Sequence, residues 1–146
     1  MEKLLFALLL LIPSFCFSQT KGDNTISIPH ASYSDIKSAL FNNGYTLINS
    51  DTVYLATSSK QVPNSAIALK MIIFRSDSLT YIKGLIKPTV TLQLYGTSVD
   101  TDFTDLAFKG SKNSPIRKVW SEMDKIAKQV SPNVEYLNQK ISYSLR

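Results

Sequence analysis

One histidine, His30, and one cysteine, Cys16, are the whole supply of the side chains that most often carry nucleophilic or zinc chemistry in this 146-residue chain. A histidine-based triad needs a base beside its nucleophile, and a zinc site needs several Cys or His ligands at set spacings. Neither can be assembled here. His30 follows Pro29 at a strand-to-helix corner and reads as a lone surface or capping residue. Asp100, Asp102 and Asp105, with Thr104 among them, form the one acidic cluster. Asp-x-Asp opens a calcium loop, but such a loop needs glycine at its sixth place and a bidentate glutamate at its twelfth, where Asp105 and Ser111 stand. Gly22, Gly44, Gly84, Gly96 and Gly110 are isolated, so none builds a phosphate-cradling loop. No catalytic residue, metal or cofactor is expected.

What remains is recognition by aromatic and apolar surface. Of seven tyrosines, seven phenylalanines and one tryptophan, Phe41, Phe74 and Trp120 are assigned to the core by their periodicity. Tyr81, Tyr95, Phe103 and Phe108 are the candidate partner surface; if Tyr81 and Tyr95 share an exposed face with Leu79 and Leu85, that face is where a partner docks. The competing site is an apolar cavity for a small ligand or lipid, lined by Met71, Ile82, Leu92, Trp120 and Met123.

The elements that must position these residues centre on Ala66 to Gly96. Ala66–Phe74, Leu79–Ile86 and Thr89–Tyr95 have the length and β-branched content of three consecutive antiparallel strands. Arg75 to Ser78 makes the first turn and Lys87-Pro88 the second corner. Upstream, Thr25–Pro29 predicts a short strand with Ile26 and Ile28 on one face. Ser34 to Asn42 predicts a helix with Ile36, Ala39, Leu40 and Phe41 inward, capped by Ser32 or Ser34 and ended by Asn43-Gly44. Tyr45–Ile48 and Val53–Ser58 predict a hairpin around a four-residue turn. Residues 97–113 predict a loop, an edge strand or a flap carrying Phe103, Leu106 and Phe108. Ser114-Pro115 opens the strongest helix, whose stripe Ile116, Val119, Trp120, Met123, Ile126, Ala127 and Val130 is the cover an apolar sheet face requires. The expected fold is α+β: an antiparallel sheet of five to six strands with two helices on one face, in the order β-α-β-β-β-β-β-α.

The N-terminus predicts an address. Lys3 precedes nine apolar residues, Leu4 to Ile12, too few for a bilayer that takes ~20. Pro13 and Ser14 end the run, and Cys16 and Ser18 are small residues two apart, as signal peptidase requires. Residues 1–18 are therefore expected to be a signal peptide, 19–24 a loose N-terminus, 25–130 one domain and 131–146 a tail. Phe15 and Pro13 stand where a lipoprotein signal wants a small and an aliphatic residue, so Cys16 leaves with the signal. Export without disulfides fits a bacterial envelope: periplasm, outer membrane or outside the cell. Sixteen Lys and Arg against 11 Asp and Glu give +5, spread without a basic run, which speaks for a solvated surface and against nucleic acid. No transmembrane segment is expected after cleavage, and the partner is expected to be another envelope protein or a small apolar ligand.

The order of elements from about residue 25 to 130 resembles that of helix-grip domains and, less closely, TATA-binding-protein-like domains. The resemblance is architectural and transfers no site residue. It implies a fold that serves lipid carriers, assembly factors and enzymes alike. Intact mass of the protein recovered from its native host should correspond to a chain beginning at Gln19; a product starting at Met1, or at an acylated Cys16, would refute the signal reading.

Overall fold

Local sequence decides where both helices begin. Ser32 accepts the Asp35 amide at 3.1 Å and its hydroxyl donates to the Asp35 carboxylate at 2.6 Å, and Ser114 accepts the Arg117 amide at 3.3 Å just before Pro115. Each cap satisfies an amide hydrogen that the first helical turn leaves without a partner. The computed structural model describes residues 18–50, 54–90, 92–94, 97–99 and 101–140, and only the backbone of 92–94 and 97–99. The expected signal peptide, except Ser18, lies outside the described residues, as do Tyr95 and the last six residues of the expected tail.

Along the chain, β1 (Thr25–Pro29) leads to α1 (Tyr33–Asn42), then β2 (Leu47–Ser50), β3 (Tyr54–Thr57), β4 (Lys60–Gln61), β5 (Ile67–Ser76) and β6 (Leu79–Pro88). A ribbon of β7 (Leu92–Leu94) and β8 (Thr97–Val99) follows, then β9 (Thr104–Asp105), α2 (Pro115–Val130) and β10 (Glu135–Leu137). The fold is α+β. Its open antiparallel sheet has eight strands, in the order β10-β1-β6-β5-β3-β2, with β4 beside β5 and β9 beside β6. Asp77, at φ +54°, closes the β5–β6 turn in the left-handed region that aspartate tolerates better than most residues.

Register aligns the core. Tyr136, Ile26, Ile82, Ile73 and Leu55 are successive cross-strand partners, one row across five strands. On that same face lie Ile36, Ala39 and Leu40 of α1 and Val119, Trp120, Met123, Ile126 and Ala127 of α2, all buried in one cluster with the row. Both helices therefore cover one face, and α2 is the cover its stripe predicts. Fully burying its four largest core residues contributes on the order of 10 kcal/mol gross, an upper figure before chain entropy. Gly84 is a packing requirement: a Cβ there would stand 2.7 Å from Leu106 Cδ2, so glycine lets the residue after β9 lie flat on β6.

Four expectations change. Thr89–Tyr95 is not a third strand of the sheet; Leu92–Leu94 pairs with Thr97–Val99 in a separate ribbon, and Val90 is exposed. The free side of β6 is taken by β1 along residues 79–83 and by β9 at Leu85 and Ile86. Phe41 is 57% exposed, because it lies five residues beyond Ile36 and so roughly 140° around the helix. The segment after α2 is not only a tail: β10 forms an edge of the sheet against β1. Residues 19–24 are also tied down. Gly22 N donates to Phe108 O at 2.9 Å, Phe108 N to Asp23 O at 2.6 Å, and the buried Asp23 carboxylate accepts the Thr20 amide at 2.6 Å. Trp120→Ala should lower unfolding free energy by ~3 kcal/mol or more in urea titration, the range for large-to-small core changes; a loss below ~1 kcal/mol would show that α2 is not the keystone of this core.

Candidate functional site

On the sheet face opposite the helices, the same register that aligns the core aligns aromatics. Tyr54 is the cross-strand partner of Phe74, and Phe74 of Tyr81. The rings of Phe74 and Tyr81 stack with centroids 5.0 Å apart and planes 15° from parallel, a favourable offset arrangement for such a pair. Beyond Tyr81 the row continues through Ser27 of β1 to Glu135 of β10. Leu79, Tyr81 and Leu85 alternate along β6 onto this face, and all three are half-buried. Phe74, expected in the core beneath the helices, thus points the other way. Ile73 takes the core position, and adjacent strand residues face opposite sides.

The two candidate sets are brought together only in part. Tyr81 belongs to the aromatic row. Phe103 is 37% exposed on the chain leading into β9, with the Lys87 ammonium 6.0 Å from its ring centre. Phe108 turns inward instead: it meets Trp120 edge-on at 5.6 Å, and the Arg117 guanidinium lies 3.6 Å from its ring centre. Tyr81, Phe103 and Phe108 therefore do not form one surface. Met71, Ile82, Trp120 and Met123 do converge, each at most 1% exposed, as members of a single packed core. For Leu92 only the backbone is described, and it lies in the β7–β8 ribbon.

Ionic groups act mainly as fastenings. Lys83 projects from β6 on the helix-free face with its side chain 1% exposed, and its ammonium sits 2.7 Å from the Asp105 carboxylate of β9. Asp105, one of the aspartates weighed for calcium, thus compensates a buried cation. Among the described residues no three Cys, His, Asp or Glu gather into a metal-holding group. Asp124 joins α2 to β10: it accepts the Tyr136 hydroxyl at 2.7 Å and pairs with Lys128 at 2.8 Å. That hydrogen bond to Asp124 raises the Lys128 pKa, and burial first, then Asp124, raises that of Tyr136. His30 stands exposed at the end of β1 with φ +54°, its amide donating to Ser78 O at 3.0 Å. No described helix is long and apolar enough to cross a membrane.

Tyr54 and Lys83 were not singled out from sequence. Lys83 left a signal, as a charged residue inside the apolar run Leu79–Ile86. Tyr54 left none, since its alignment with Phe74 depends on strand pairing. No protein-family model matches the chain, and no curated protein matches it.

Tyr45 supplies a measurable electrostatic consequence. It is buried where the chain leaves α1, its hydroxyl makes no hydrogen bond among the described residues, and the Lys60 ammonium lies 4.9 Å from its ring centre. Burial, and after it the charge of Glu122, pushes the phenol pKa well above 10.0. The unfolded chain therefore ionises first as pH rises. The contribution of Tyr45 is intact below the ordinary tyrosine pKa of about 10 and is lost progressively above it. Tyr45→Phe should leave stability near pH 7 within about 1 kcal/mol of wild type, since the hydroxyl has no partner to lose, and should flatten the alkaline decline. An unchanged alkaline slope in denaturant titrations would contradict this assignment.

Proposed function

We propose that this protein is an exported, non-catalytic binding or assembly module of a bacterial cell envelope. It meets another envelope protein through the helix-free face of its sheet. The observation that carries the reading is the row Tyr54–Phe74–Tyr81, flanked on β6 by Leu79 and Leu85. Aromatic rings offer a partner large contact area at little cost in side-chain freedom, and they dominate the centres of protein interfaces. A sheet also holds such rings at fixed spacing, so little ordering remains to be done on binding.

Export rests on the apolar run Leu4–Ile12 and the small residues before Gln19. The helix-grip-like order of elements is compatible with a carrier, but that reading needs free volume among Met71, Ile82, Trp120 and Met123. Those side chains instead pack in the core beneath the helices, and filling such a space is what close-packed interiors do.

Site-specific photocrosslinking separates the two readings. A benzoylphenylalanine at position 81, introduced in the native host, should give a discrete adduct with one envelope protein, and Phe74→Ala should diminish it. The same probe at position 129 on α2 should give none. Absence of an adduct at 81, together with a stoichiometric apolar ligand seen by native mass spectrometry, would replace the binding module with the carrier.

A further inference from the structure

Away from the aromatic row, the solvent side of α2 and the turn between β4 and β5 form an open groove of about 370 Å³ that shares no residue with that row. Val62, Pro63 and Asn64 form one wall. Lys112, Lys118, Ser121, Glu122 and Lys125 form the other. Lys118, Glu122 and Lys125 recur at helical spacing on one side of α2, which places Lys118 and Lys125 two turns apart, roughly 10 Å along the axis. Lys112 enters from the chain just before the helix.

Glu122 offsets only part of the positive charge in this groove. Among the described residues Lys112, Lys118 and Lys125 form no salt bridge, although Lys128 on the same helix pairs with Asp124. Among the described residues the one hydrogen bond from these ammoniums runs from Lys118 Nζ to Asn64 O at 3.2 Å, tying the two walls together. Three ammoniums face one carboxylate, so the groove carries a net charge of about +2 at neutral pH. The nearby positive end of the α2 dipole adds to it.

The kind of cation narrows the ligand. Arginine grips a planar carboxylate with a two-pronged fork, whereas lysine meets an oxyanion as a movable point charge. The arginine of this helix, Arg117, has its guanidinium laid on Phe108. Recognition in the groove therefore falls to ammoniums at two or three separated points, with Ser121 and Asn64 to hydrogen-bond neighbouring hydroxyls. Among the described residues no aromatic ring lines it, so none offers the stacking platform a neutral sugar would use. We propose that this groove binds a phosphate-bearing ligand, with Lys112, Lys118 and Lys125 as its anion contacts. The inference does not rest on the partner surface proposed above.

Amide chemical shifts of the full mature chain, followed during titration with inorganic pyrophosphate, test the proposal. Saturable shifts should cluster at Lys112, Lys118, Ser121 and Lys125, and the double variant K118Q/K125Q should weaken binding roughly tenfold or more. The control K37Q/K140Q removes the same charge outside the groove and should change affinity less than about threefold, as expected for screened surface charge. Unchanged thermal midpoints establish that both variants fold. Cosedimentation with phosphatidylglycerol vesicles then distinguishes the sources: vesicle binding lost in K118Q/K125Q identifies a lipid headgroup, and pyrophosphate binding without vesicle binding identifies a soluble phosphorylated ligand. Shifts that do not saturate, or equal weakening by the control, overturn the site.

Discussion

Everything in this structure depends on the register of the β5–β6 hairpin. Ten cross-strand pairs run from Ile67 opposite Pro88 to Ser76 opposite Leu79, closed by Asp77-Ser78. Side chains alternate with a period of two, so a slip of one residue along one strand would send Ile82 and Ile86 to the face now held by Tyr81 and Lys83. The register thus determines the core row and the aromatic row in a single step. It is held by the tight turn at one end and by Gly84, opposite Met71, near the middle, where only glycine leaves room for Leu106.

The helix layer is joined to this sheet chiefly through Trp120. Phe108 from the segment after β9 and Tyr136 from β10 approach its ring at centroid distances of 5.6 and 6.4 Å. Each neighbour also serves a second bond: Phe108 exchanges backbone hydrogen bonds with the segment around Gly22 and Asp23, and Tyr136 donates to Asp124. Three distant stretches of chain are thereby coupled to one side chain. Among the described residues the Trp120 indole nitrogen has no hydrogen-bond partner; a buried donor so placed costs roughly 1–3 kcal/mol, which the surrounding apolar contact must offset.

Polar groups buried on or near the sheet show the same economy of means. Lys83 crosses no helix layer yet is inaccessible to solvent, and Asp105 beside it comes from a strand of only two residues. The ion pair therefore gives a very short strand a specific place to stop, next to Leu85 and Ile86. Asn24 does similar work at the other edge: its side-chain amide exchanges two hydrogen bonds of 2.9 Å with the backbone of Gln139, which extends the β1–β10 ladder by one pair.

Both helices were legible in the sequence because their signals are local. Ser32 and Ser114 cap them, Gly44 accepts φ +75° after the first, and the α2 stripe repeats at a spacing that admits one buried side. The β5–β6 hairpin was legible for the same reason. Tertiary structure alone decided which side of a continuous apolar run faces the helices: Ile72, Ile73 and Phe74 are all apolar, so no alternation tells inward from outward, and pairing with Leu55 and Ile82 assigns Ile73 to the core. It also decided which strand completes β6. Thr89–Tyr95 and Thr25–Pro29 have comparable strand character, but hydrogen bonding across distant chain segments gives the place to β1, and composition holds no trace of that choice. The groove of Lys112, Lys118 and Lys125 needed both levels, since helical spacing brings the last two together while only packing sets Asn64 and Lys112 beside them.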